Sequence, residues 1–316
     1  MISQIRWQRP NGDLNPLSLI HLPRFFMQWW NGRQMNEFIG KELDRRYEEL
    51  MNDSYDKKSK AVIDLVLQAY LENAEPRSNR LDPDFRRFAI IQIRLFVFAG
   101  HDSTSSTICY CLYLLSKNQK ALSRICSEHD AVYGKDRSSI SSRLTQEPQL
   151  ANDLPYTTAV IKETLRLFPP ASASRQGSPG VDVVDDIGRI CPTNGAVVWI
   201  SHAMMHRAPK YWINPDDFLP ERWLVEPGHE LYPTKGAWRP FENGPRNCIA
   251  QGLVMTELRV ILSLIVREFD VQDSYSEIDG NSTVGIKTYK GERAFQIDSG
   301  AAHPADFFPC KVFTRE

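Results

Sequence analysis

The sequence predicts a mainly α-helical fold with a minor β-sheet, and three observations carry that expectation. Apolar residues recur at helical spacing through most of the first 170 positions. The texture then changes to short Val- and Ile-rich segments between Gly and Pro turns. A Pro- and Trp-rich stretch without periodicity follows, and one last amphipathic run comes after it.

Residues 1–33 read as an irregular lead, broken by Pro10, Asn11-Gly12, Pro16 and Pro23. Within it, Leu17–Trp30 is rich in Leu, Ile, Phe and Trp, a composition that suits core packing under a helix pair. The helical part covers 34–170. From Gln34 to Met51 the positions Met35, Phe38, Ile39, Leu43, Tyr47 and Leu50 keep a helical period. Lys60–Glu72 repeats it with Val62, Leu65, Val66, Ala69 and Tyr70, and Asn73–Pro83 is a polar linker. Asp84–Lys117 reads as one long helix, apolar on most sides and therefore central. A helix over Gln119–Tyr133, a polar loop over Gly134–Gln149 and a helix over Leu154–Leu167 follow, the last stopped by Pro169-Pro170.

The remainder, 171–316, carries the strands and the meander. Val181–Val184, Arg189–Cys191 and Ala196–Ile200 read as short strands. Pro209–Pro245 shows no period, and so long a stretch inside a compact domain must be tied down by specific contacts. Leu253–Phe269 is a helix, and the tail after Val284 alternates as a small sheet. No internal repeat is visible.

With 316 residues the chain can bury a substantial core. Lys+Arg 38 against Asp+Glu 39 leave a net charge of -1, which gives no basic excess for a nucleic-acid partner. The six cysteines, Cys109, Cys111, Cys126, Cys191, Cys248 and Cys310, form neither a C-x-x-C pair nor a zinc spacing, which fits a reducing, intracellular setting. The most apolar stretches, Ile90–Ala99 and Ile108–Leu115, are interrupted by Arg94, Gly100, His101 and Asp102, so no transmembrane segment is expected. His202, His206 and His303 lack the flanking carboxylates of a non-haem metal site.

Chemistry concentrates in Phe241-Glu242-Asn243-Gly244-Pro245-Arg246-Asn247-Cys248-Ile249-Ala250. A cysteine there follows a Gly/Pro loop and precedes a helix, where backbone N–H donors and the helix dipole favour negative charge on sulfur. Arg246 adds to the effect. A thiolate so placed suits a soft metal such as haem iron, although a single cysteine taken alone is more often a small buried hydrophobe than a ligand. Glu163 and Arg166 stand three apart on one helix face, which alone reads as an exposed ion pair worth a few tenths of a kcal/mol. Pro220-Glu221-Arg222-Trp223 follows some fifty residues later. Ala99-Gly100-His101-Asp102-Ser103-Thr104 places Gly and hydroxyl residues inside the long helix, a composition that predicts a locally widened helix.

Taken in this order, Ala99–Thr104, Glu163–Arg166, Pro220–Trp223 and the F-x-x-G-x-R-x-C pattern of Phe241–Cys248 resemble cytochrome P-450, the haem-thiolate monooxygenases. The resemblance implies haem b with Cys248 as the axial thiolate and metal ligand. It implies Arg246 and Arg175 at the haem propionates, Phe241 beside the ligand, and Gly100 where a flat cofactor or dioxygen approaches. Asp102, Ser103 and Thr104 would relay protons, and Glu163, Arg166 and Arg222 would form a buried ion network beneath the haem loop. Two positions depart from the family pattern: Ala250 stands where Gly is usual, and Ser103 where Thr is usual.

The resemblance further implies a single, N-terminally truncated domain over 1–316, the C-terminal portion of the family fold. The expected activity is insertion of one oxygen atom from O2 into a small apolar organic substrate. Electrons would come from an NADPH-dependent reductase docking near Arg207, Lys210 and Arg239. Phe98–Asp102 and Trp238–Phe241 resemble filamentous-fungal enzymes of secondary-metabolite biosynthesis. Family members are anchored to the endoplasmic reticulum, and Leu17–Trp30 would make peripheral membrane contact. The alternative expectation is a catalytically inactive remnant with weak or no haem binding.

Overall fold

Pro23 opens a helix instead of breaking the chain: α1 spans Leu22–Met51. Proline in a first helical turn lacks only an N–H that has no intrahelical partner. The irregular lead expected for 1–33 is thus corrected from Leu22 onward. The computed structural model describes residues 22–52, 61–73, 80–280 and 288–315. Most of the lead and of the Asn73–Pro83 linker, and the start of the tail after Val284, lie outside the described residues. Contacts divide the chain into two units, Met1–His101 and Asp102–Glu316.

The first unit holds α1, α2 (Val62–Asn73) and the opening turns of α3 (Pro83–Lys117). Ile39, Leu43 and Tyr47, at i, i+4 and i+8 on α1, pack with Leu67, Leu81, Ala89 and Ile90. Tyr70 stacks on Phe85 at 3.9 Å. Arg86 forks onto Asp44 through Nε at 2.9 Å and Nη2 at 2.8 Å. Gly40 makes room for it, because a Cβ there would stand 2.3 Å from that guanidinium. Phe25, Phe26, Trp29 and Trp30 are exposed, so the core packing expected of them is not found, and Phe38 faces outward too.

The second unit contains the rest of α3, then α4 (Gln119–Tyr133), α5 (Ile140–Gln146), α6 (Pro155–Leu167), α7 (His202–Met205), α8 (Gln251–Ile265) and α9 (Tyr275–Asp279). Its main core joins Cys111 and Leu115 of α3 to Leu122 and Ile125, Val160 and Leu165, and Leu258 and Leu262. A second cluster sets Tyr110 against Phe168, rings 4.0 Å apart and nearly parallel, together with Tyr275 and Phe308. Gly134–Gln149 is not the loop expected. Asp136 caps a 3-10 turn by accepting from the Ser138 N–H, and α5 follows directly. α3 is α-helical through Ala99–Thr104, so the expected local widening is absent.

Among the described residues the sheets are four antiparallel pairs. β1 (Ala173–Gln176) pairs β4 (Val197–Ile200), with Arg175 opposite Val198. β2 (Asp182–Val184) pairs β3 (Ile190–Pro192), and β5 (Phe269–Asp273) pairs β8 (Cys310–Thr314). β6 (Gln296–Ser299) and β7 (Ala301–Pro304) form a hairpin. α8 stops at Ile265, and Phe269 begins β5 rather than ending the helix. No described helix is long and apolar enough to cross a membrane.

Candidate functional site

α6 turns Glu163 and Arg166 into a fully buried layer, 0% exposed, so the exposed pair suggested by spacing alone is excluded. The Glu163 carboxylate accepts from Arg166 Nε at 3.0 Å and Nη2 at 2.8 Å, and from Arg222 Nε at 3.2 Å. It also accepts from the Leu219 N–H at 3.0 Å and Trp223 Nε1 at 3.1 Å. Arg166 spends its remaining donors on the carbonyls of His206 at 2.8 Å, Pro215 at 2.6 Å and Asp217 at 2.9 Å. Arg222 reaches the Asn214 carbonyl at 2.7 Å. Burial pulls the Arg222 pKa below its ordinary value, while Glu163 opposes the shift. One carboxylate and two guanidinium groups therefore pin the meander that has no periodicity of its own.

An aromatic ladder continues from this network. Trp212, Trp223, Trp238 and Phe241 follow one another at centroid spacings of 6.0, 5.4 and 6.1 Å. Trp238 Nε1 donates to the Lys162 carbonyl at 3.1 Å, fixing the ladder to α6. Phe241, half-buried against the main core, opens the loop. The loop closes when the Cys248 N–H donates to the Phe241 carbonyl at 2.8 Å. Gly244 supplies the turn at φ +87°.

Cys248 is a free, exposed thiol three residues before α8 begins at Gln251. Ile249 beside it is 87% exposed, and Leu253 one turn on is exposed as well. A Cβ added at Gly244 or at Gly252 would meet nothing within 4 Å. Arg246 is exposed and makes no hydrogen bond or ion pair among the described residues. A soft sulfur donor, open apolar surface and an uncommitted cation together fit a flat, largely apolar macrocycle with an anionic edge.

Arg175, on β1, is tied to the same loop through Glu242, whose Oε2 accepts from Nη2 at 2.7 Å. The other oxygen of Glu242 lies 2.9 Å from His202 Nε2. Glu242 and His202 are site residues that sequence reasoning missed. No local pattern in the sequence links this histidine to the glutamate 40 positions on.

Asp102 is bonded to the C-terminal hairpin rather than to the Cys248 loop. It accepts from the Ala301 N–H at 2.6 Å and faces His303 Nε2 at 3.0 Å. Ser106, one turn on, donates to the Ala302 carbonyl. Thr104 Oγ1 is buried and has no partner among the described residues, and the Ser103 carbonyl accepts from the Thr107 hydroxyl. Gly100 has open space where a Cβ would lie. Asp102→Ala is expected to lower stability by about 1–3 kcal/mol, because it strands the Ala301 donor. Urea denaturation reads this, and a loss below about 0.5 kcal/mol would show the hairpin held by other means.

Two of the three cations expected near the loop are engaged by carboxylates. Arg207 pairs with Asp216 at 2.7 Å, and Lys210 pairs with Asp186. Arg239 turns its Nε onto the Gly236 carbonyl. Arg239 makes no ion pair among the described residues, and Asp216 is shared with Lys290 at 3.3 Å, so positive charge remains beside the loop.

The family model described as Cytochrome P450 matches residues 9–291. Cytochrome P450 monooxygenase polC of Polytolypa hystricis is 40% identical over 99% of this chain and 56% of its own length. Cytochrome P450 monooxygenase acrF of Aspergillus aculeatus is 32% identical over 97% of this chain and 65% of its own length. The chain thus spans between half and two thirds of the length of these curated relatives. The crystal structure of the cytochrome P450DA heme domain superposes with a TM-score of 0.69 at 21% identity, covering 100% of this chain and 60% of that one. That likeness shows a shared fold.

Proposed function

Because the chain belongs to the cytochrome P450 family, we propose that it serves a haem-dependent monooxygenase that inserts one oxygen atom from O2 into an apolar organic substrate of secondary-metabolite biosynthesis. The observation that carries this reading is the exposed Cys248 thiol, held on a closed loop at the end of a ladder rooted in the Glu163 network. Cys248 Sγ would hold the iron, with Arg246 and Arg175 at the carboxylates of haem b. Phe241, whose carbonyl holds the Cys248 N–H, would flank the sulfur once haem covers it and help set the potential. Bound haem supplies the activation of dioxygen.

Proton handling falls to α3. Asp102, Ser103 and Thr104 are consecutive, and the unpartnered Thr104 hydroxyl is a donor not committed to the fold. Family membership supports a redox partner as electron donor, here taken to be an NADPH-dependent reductase. Exposed Phe25, Phe26, Trp29 and Trp30 support peripheral contact with a membrane surface.

Titration of the purified chain with haemin tests the reading. One haem per chain should bind with a thiolate-type Soret band, and Cys248→Ala should lose that band. A wild-type chain that takes no haem, or a Cys248→Ala spectrum identical to wild type, would contradict it.

A further inference from the structure

Glu242 stands in the left-handed region, at φ +62°. A residue with a Cβ stays there only where its surroundings over-determine it. Its side chain, 14% exposed, shows what does so. One carboxylate oxygen takes Arg175 from β1 at 2.7 Å, and the other faces His202 of α7 at 2.9 Å.

His202 is itself immobilised. It is buried, its Nδ1 lies 2.9 Å from the Ala171 carbonyl, and its ring stacks at 5.9 Å on His206. His206 Nε2 accepts the Arg239 N–H at 2.8 Å. Burial lowers the His206 pKa to about 3, so the ring is neutral and able to accept. The Glu242 N–H closes onto the Arg239 carbonyl at 3.0 Å. Arg239–Glu242 is therefore gripped at both ends, by backbone at 239 and by side chain at 242, immediately before the turn that leads to Cys248.

We propose that Glu242 is a positioning residue whose carboxylate latches the Phe241–Cys248 loop to β1 and α7 and aims Arg175 at that loop, shaping the site before a cofactor arrives. The purpose of the latch rests on the haem reading; its geometry does not. Replacement separates backbone from charge. Asparagine tolerates φ above zero but removes the charge, and aspartate tolerates it while keeping the charge.

Amide hydrogen exchange on the full chain without haem reads the latch through the Cys248 N–H. Protection should fall about tenfold in Glu242→Asn, the scale of one lost charge-assisted hydrogen bond, and by less in Glu242→Asp, which keeps the charge on a side chain one methylene shorter. In the haem-loaded chain, Glu242→Asn should lower the thiolate-ligated fraction of the ferrous carbon-monoxide spectrum and speed haem transfer to excess apomyoglobin about tenfold. Should Glu242→Asn fail to fold, His202→Gln carries the same measurement from the other side of the carboxylate. Unchanged Cys248 protection in either variant overturns the latch whatever haem does. Lost protection in a chain that never takes haem supports the latch and overturns the haem reading alone.

Discussion

Glu163→Ala is expected to cost about 3–5 kcal/mol, which is much of the whole stability of a typical domain. The cause is specific. Among the described residues Glu163 is the one carboxylate bonded to both buried guanidinium groups, and its removal leaves Arg166 and Arg222 without a counter-charge. The Leu219 N–H and Trp223 Nε1 lose their acceptor in the same step. The meander from His206 to Trp223 should become susceptible to protease, and the Trp ladder should lose its fixed spacing. Replacing all three charged residues by apolar ones should cost less than the sum of the single changes, since a buried charge without its partner carries most of the penalty. Urea denaturation with a tryptophan fluorescence readout measures both. A Glu163→Ala loss below about 1 kcal/mol would show that the network is ornamental to folding.

Acidification should destabilise the protein steeply well above the carboxylate range. Burial lowers the pKa of His206 to about 3 and that of His129 to about 4, from 6.5 in the unfolded chain. His202 adds to the first shift and Arg267 to the second. Above about pH 6.5 both rings are neutral in either state and contribute no pH dependence. As pH falls toward the folded values, only the unfolded chain binds the protons, so each ring lowers stability by about 1.4 kcal/mol per pH unit. The slope from each ring flattens once the folded value is passed. His129→Gln should remove about half of the slope between pH 6 and pH 5, measured by denaturation at each pH. A flat profile over that interval would mean that both rings protonate within the native state.

How much of this was legible in the sequence follows from the range of the interactions. Ile39, Leu43 and Tyr47, or Leu258 and Leu262, recur with the helix itself, so their elements could be read locally. The start of α1 was misplaced because Pro23 signals a breaker unless its position in the first turn is known. α5 has only seven residues, too few for a period to emerge, and β1 is Ala-Ser-Arg-Gln, without the apolar alternation that marks a strand. In the site, the Cys248 loop and the Glu163–Arg166 spacing were visible because each is a short contiguous pattern. Glu242 meets His202 across 40 positions and Asp102 meets His303 across 201, and neither pairing leaves a local trace. The ion pairs of Arg207 and Lys210 were equally hidden, since Asp216 and Asp186 reach them only through the fold.

One spectrum decides whether Cys248 is built to ligate iron. The purified chain, supplied with haem, reduced and exposed to carbon monoxide, should show the red-shifted Soret band of thiolate-ligated iron, and Cys248→Ala should lack it. A wild-type spectrum with only the band of neutral-ligand haem proteins, or with no haem band, would contradict the assignment.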